Sequence, residues 1–185
     1  MDLTTNDRAI FQAIKQSCQD FGLKYSHHIY QDYLLTIIFR VDRVIIDRDV
    51  DLSIVLDTAY RSIALRCTLP QPIPQSKIRE LYETLNQLNY KLAKIKIVIQ
   101  HPDPKAEIRG EMELFSHETF KADNFKKVLA RFLTVSSVFV PLIDDFLKGR
   151  ATKDEVIGGV DVLNNLQEFG SENMDNAPGD FPYPS

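Results

Sequence analysis

KIKIVIQHPDPKAEIRGEMELF, residues 94–115, decides what kind of fold to expect, because it holds two apolar/polar alternations separated by a turn built on Pro102 and Pro104. Ile95, Ile97 and Ile99 fall on one side of the first run, against Lys94, Lys96, Val98 and Gln100. In the second run Ile108, Gly110, Met112 and Leu114 oppose Arg109, Glu111, Glu113 and Phe115. A period of two belongs to a strand with one buried face, so the stretch predicts an antiparallel hairpin. Lysines on the outer face of one strand and glutamates on the outer face of the other are expected to pair across it, contributing roughly 0.2–1 kcal/mol per pair. Such pairs set register and imply no chemistry.

The same period recurs upstream. DVDLSIVLD (49–57) alternates Val50, Leu52, Ile54 and Leu56 against Asp51, Ser53, Val55 and Asp57, and SIALRCTL (62–69) alternates Ile63, Leu65, Cys67 and Leu69 against polar or small residues. Joined by the short TAYR turn, they predict a second hairpin. YSHHIYQDYLLTIIFRV (25–41) holds one further strand whose start the pattern leaves open, with Tyr33, Leu35, Ile37, Phe39 and Val41 on one face and Leu34 and Ile38 on the other. DRVIIDRD (42–49) reads as a charged connection, open to a bulge or a strand extension at residues 44–46.

Between and around the strands the period changes to that of helices. Ile10, Phe11, Ile14, Cys18 and Phe21 make one stripe over residues 4–21, with Thr4 and Asp7 as a capping box and Gly22 as a left-handed stop. Pro74 opens a helix whose face is Ile78, Leu81, Tyr82, Leu85, Leu88 and Leu92. A long helix runs from Asp123, read as its N-cap, to Leu147, with a stripe that includes Phe125, Leu129, Phe132, Phe139, Ile143 and Phe146. Pro141 inside it is expected to kink it. Thr152 and Glu155 form a second capping box, opening a short helix to about Phe169.

The fold class that follows is α+β: an antiparallel sheet of about five strands with helices packed on it, in the order α-β-β-β-α-β-β-α plus a C-terminal helical extension. Residues 1–149 form the domain, 150–169 the extension, and 170–185, GSENMDNAPGDFPYPS, an acidic tail expected to be disordered for want of aliphatic residues. No internal repeat or second core is visible.

Composition agrees with one globular domain of a soluble protein: 185 residues, 44% hydrophobic, 26% charged, net charge −4. The charge is uneven. Residues 151–185 carry one basic residue against seven acidic ones, which leaves the body slightly positive at +2. So small an excess does not argue for nucleic acid. Cys18 and Cys67 lack CxxC partners and read as small buried hydrophobes, not as a zinc site or a disulfide framework. No run of 18 apolar residues and no signal-like N-terminus occurs, so the expected location is the cytoplasm, away from membranes.

No residue set nominates itself for catalysis. The chain has no GxxxxGK[ST], GxGxxG, HExxH or GxSxG sequence, and seven glycines leave little room for a hidden phosphate loop. His27 and His28 are adjacent and in a strand point to opposite faces, which is wrong for one metal. His101 and His117 sit beside turns, while Asp144-Asp145 and Asp47-Arg48-Asp49 place like charges at helix ends or turns rather than in a common cleft. Ser136 and Ser137 lie in the long helix, where hydroxyls commonly bond back to the preceding turn. No cofactor or metal is expected. What remains is surface: the outward face of the sheet carries Leu34, Ile38, Val55, Ala64, Val98 and Phe115 among charged neighbours, and FPYPS at the end supplies Phe181 and Tyr183.

Two stretches carry a family resemblance. LPQPIPQSKIRELYETLNQLNYKLAKIKIVI resembles the helix of the YbjN domain family that ends in an asparagine-rich turn before a strand, with Asn86 and Asn89 at the matching places. FKKVLARFLTVSSVFVPLIDDFL resembles that family's last helix, proline included. The family falls within the type III secretion chaperone-like fold, and the resemblance spans about residues 5–148. It implies a small, cofactor-free, often dimeric binding protein, regulatory or chaperone-like, and it transfers no catalytic residues.

The reading of function is therefore a non-catalytic module that holds a segment of a partner protein on its sheet face, with Leu34, Ile38, Val55, Val98, Phe115, Phe181 and Tyr183 as candidate contacts. Two alternatives stand beside it. One is a small-molecule sensor or enzyme with a pocket between sheet and long helix near Tyr82, His101 and Pro141; the other is a structural homodimer.

Overall fold

A computed structural model describes residues 4–30, 36–42, 51–58, 61–92, 95–100, 102–113 and 120–173. In chain order these form α1 (Thr5–Asp20), β1 (Lys24–Tyr30), β2 (Thr36–Asp42), β3 (Asp51–Asp57), β4 (Ser62–Thr68), α2 (Gln75–Lys91), β5 (Ile95–Ile99), β6 (Ala106–Glu113), α3 (Ala122–Leu147) and α4 (Lys153–Asn173). The class is α+β, as the alternations predict.

The strands make one antiparallel sheet of six, ordered β1-β2-β3-β4-β6-β5. The sixth corrects the expected five. The stretch read as one strand contributes to two, Lys24–Tyr30 and Thr36–Asp42, paired from Lys24 opposite Asp42 to Tyr30 opposite Thr36. An unbroken strand over all of 25–41 would exceed the usual limit of about ten residues. The second difference is the place of β6, which inserts between β4 and β5, so the 94–115 hairpin joins the sheet through its second strand. Register corrects a third expectation. Lys96 stands opposite Arg109, not opposite a glutamate, and Val98 stands opposite Glu107.

One face of the sheet is the core. Leu52, Ile54 and Leu56 of β3, Ile63, Leu65 and Cys67 of β4, Ile95, Ile97 and Ile99 of β5, and Ala106 and Ile108 of β6 are all buried. The helices pack on this side. α1 reaches β1 through an edge-on contact of Phe11 with His27, ring centroids 5.2 Å apart. Down the middle, α3 inserts Phe125, Phe132, Phe139 and Phe146, each fully buried. It meets β6 so closely that a Cβ on Gly110 would lie 3.1 Å from the Phe132 ring. α2 contributes Leu81, Leu85 and Leu88, and α4 lies across α2 and α3 with Val156, Val160 and Leu163 buried.

The helix ends follow sequence chemistry. Thr4 and Asp7 exchange the two hydrogen bonds of a capping box, as do Thr152 and Glu155. Gly22 and Gly149 take positive φ, +66° and +72°, where a side chain would be strained. Lys121, not Asp123, is the N-cap of α3; Asp123 sits in the first turn, where its charge suits the helix dipole. Tyr82 is 40% exposed and not part of the core stripe, because a residue next to Leu81 is rotated about 100° around the helix from it. α3 is continuous through Pro141, with Phe139, Val140 and Ile143 buried on either side. Ser137 bonds back to the Thr134 carbonyl at 2.8 Å, whereas the buried Ser136 hydroxyl has no partner among the described residues. The last helix extends past Phe169 to Asn173.

Candidate interaction face

The opposite face of the sheet has none of the described helices on it. Its side chains fall into rows that run across the strands, because residues paired in register stand side by side. Ser26, Arg40, Ser53, Arg66, Arg109 and Lys96 make a single row through all six strands. On one side of it runs a row of His28, Ile38, Val55, Ala64 and Glu111. On the other side, Thr68, Glu107 and Val98 stand in line. The face is thus a basic row flanked by a short apolar row and a polar one.

This arrangement divides the residues expected to bind together. Ile38 and Val55 are direct register partners beside Ala64, with Val55 and Ala64 half-buried. Val98, also half-buried, lies three strands from Val55, about 14 Å across the sheet at the usual spacing, and beyond the basic row. Leu34, Phe115, Phe181 and Tyr183 lie outside the described residues, as do His101, His117, the 47–49 triplet and the 44–46 stretch.

Glu107 is the buried charge of this face. Its side chain is 1% exposed and accepts two hydrogen bonds from Arg109, at 3.0 Å from Nε and 2.7 Å from Nη2, one from the Gln100 amide, and one from the Thr68 hydroxyl at 3.2 Å. A carboxylate this buried persists only when its oxygens are satisfied, and here both are. Lys96 is held differently: its ammonium donates to the carbonyls of Asn89 and Leu92 at the end of α2, where a cation complements the free carbonyls of the last turn.

The edge beside it is capped at Ile97. The Asn89 carboxamide donates to the Ile97 carbonyl at 2.7 Å and accepts from the Ile97 N–H at 2.8 Å, so it occupies the place of a neighbouring strand on β5. Unpaired edge groups invite another chain, and this side chain removes that invitation at Ile97.

A second polar cluster sits at the far end of α3. The buried Asp144 accepts from the Gln71 amide and from Lys148 Nζ at 2.8 Å, with Arg150 Nη2 at 3.6 Å, while Asp145 binds Arg150 Nε at 3.0 Å. These contacts offset two acids at a helix C-terminus and tie it to the segment before α2, which is a structural role. Cys18 and Cys67 are buried and unlinked, and burial pushes the Cys18 thiol up to about 11. Among the described residues no group of three or more His, Cys, Asp or Glu is placed to hold a metal ion, and no helix is long and apolar enough to cross a membrane.

The basic row was missed by sequence reasoning. Arg66 and Arg109 are each readable as outward residues, but their juxtaposition needs the pairing of β4 with β6, two strands separated by the whole of α2 and β5.

No protein-family model matches the chain, and no curated protein matches it. Among solved structures it is similar to the crystal structure of YbjN, a proposed transcription regulator from E. coli, at 13% identity over 68% of this chain and 90% of that one, with a TM-score of 0.45. At that identity and score the likeness concerns the path of the chain and transfers no function.

Proposed function

We propose that the protein is a cytoplasmic, non-catalytic binding module that holds a segment of a partner protein on the uncovered face of its sheet. One observation carries the reading: the described helices all lie on one face, while the other leaves Val55 and Ala64 half-exposed beside a row of exposed cations. A sheet face of this mixed character suits docking of an extended segment. Closure of β5 at Ile97 by Asn89 disfavours strand addition at that edge and supports the face as the contact surface. The interval between sheet and α3 that a ligand pocket would need is filled by the four buried phenylalanines, and Tyr82 points outward.

The test is partner capture from native lysate with the full chain and with Val55→Glu and Val98→Glu, each checked for unchanged melting. Loss of a specific partner with Val55→Glu is expected, with a smaller effect at the more distant Val98. Retention of the same partner by both variants would refute the face as the binding surface.

A further inference from the structure

Three outward cations, Arg66, Arg109 and Lys96, stand next to one another on neighbouring strands, Arg66 opposite Arg109 and Arg109 opposite Lys96. Like charges directly opposite each other destabilise a sheet, so such a run calls for a counter-charge. Arg109 has one in Glu107, and Lys96 is directed to backbone carbonyls. Arg66 is exposed and has no ion pair among the described residues. Arg40 continues the row two strands further on, with Ser53 between.

We infer that this row recognises an acidic segment of the partner protein, lying in extended form across the strands with its carboxylates on the row and its apolar side chains on Val55 and Ala64. The inference rests on the proposed docking face and names the chemistry of what docks there. The dimensions agree. From β2 to β5 is four strand spacings, about 19 Å, which an extended chain covers with about six residues, and its same-side carboxylates recur every 6.6 Å or so. Arg66 presents a planar guanidinium fork suited to a carboxylate, while the Nε–Nη2 side of Arg109 is already taken by Glu107. A nucleic acid is the less favoured occupant. The row beside the cations carries Val55 and Ala64 instead of aromatic rings for base stacking.

The experiment is fluorescence anisotropy with the full chain and three labelled probes: an alternating Glu-Val peptide of about ten residues, the matching Gln-Val peptide, and a single-stranded DNA of similar length. Expected are preference for the Glu-Val peptide, weakening as salt rises from about 50 to about 200 mM, and a loss of about tenfold or more for Arg66→Gln. Arg131→Gln, the same charge change on the exposed side of α3, should leave binding unchanged. Equal binding by the parent chain and Arg66→Gln overturns the inference, as does DNA binding as tight as that of the acidic peptide. If both peptides bind alike and Val55→Glu abolishes both, the docking face stands and the charge recognition falls. If neither peptide binds, the acidic segment is wrong, and partner capture with the Val55 variant decides the face separately.

Discussion

Gly158 and Gly159 are adjacent in α4, yet alanine at the two positions should have opposite effects on stability. In a helix interior glycine costs about 0.5–1 kcal/mol relative to alanine through backbone entropy. At Gly158 a new Cβ meets nothing within 4 Å, so Gly158→Ala should gain that amount. At Gly159 it would lie 2.6 Å from Leu142 Cδ1 and 2.9 Å from Phe139 Cε1. Carbon atoms pack best at about 3.5–4.0 Å, so the overlap is severe. Leu142 is half-buried and its terminal methyl can turn aside, but the Phe139 ring is fully buried and has nowhere to go. Overpacking of this kind costs about 1–3 kcal/mol. Because the helix-propensity gain is common to both variants, it cancels, and the difference between them isolates the α3–α4 contact at about 1–3 kcal/mol. Guanidinium unfolding would measure it directly; by heat, a chain of this size shifts about 2–4 °C per kcal/mol. Equal stabilities, or Gly159→Ala the more stable, would refute the close approach of α4 to α3.

Asn89→Ala should cost about 1–3 kcal/mol, since it leaves both backbone groups of Ile97 without their partner, and amide exchange at Ile97 should speed up; unchanged exchange there would contradict the edge cap. Neither cysteine should react with a thiol reagent until the chain is unfolded. Because the folded Cys18 thiol is raised from 9.0 to about 11, its contribution is present below pH 9 and lost as pH rises toward 11, so Cys18→Ala should flatten the alkaline fall in melting temperature. Acid works in the other direction. The Lys126 ammonium, and after it Gln16, lower the Asp20 carboxyl, and the Thr152 backbone N–H and hydroxyl lower that of Glu155. Their contribution is present above the unfolded carboxylate range and fades as pH falls through the lowered folded values. The double variant Asp20→Asn, Glu155→Gln should therefore show a shallower acid slope than the parent chain, and an identical slope would count against both contacts.

Much of this fold is legible in local periodicity. Alternation in 52–56, 63–69 and 95–99 assigned the buried side of three strands correctly, and both capping boxes and the Gly22 stop followed from short-range chemistry that depends on residues three or four apart. What local patterns do not encode is who stands beside whom. The split of 25–41 into a hairpin, the insertion of β6 between β4 and β5, and the charge row that insertion creates are all non-local pairings. Lys96 shows the consequence: read locally it belongs opposite a glutamate, but in the assembled sheet it faces Arg109 and turns to the end of α2. The candidate site was therefore legible as a face and not as a pattern of charge upon it. Asn89 sits between the two cases, visible in the family resemblance, its function as an edge cap apparent only once β5 is beside it.

The uncovered sheet face, and not the helical side, is the surface expected to meet the partner. A photo-reactive benzoylphenylalanine in place of Val55, compared with one in place of Tyr90, which is 93% exposed on α2, addresses it in native lysate. A discrete cross-linked product is expected at position 55, suppressed by excess Glu-Val peptide, and none at position 90. A product at position 90 alone would contradict this assignment of the face, whereas one at position 55 that the acidic peptide leaves untouched would contradict only the acidic recognition.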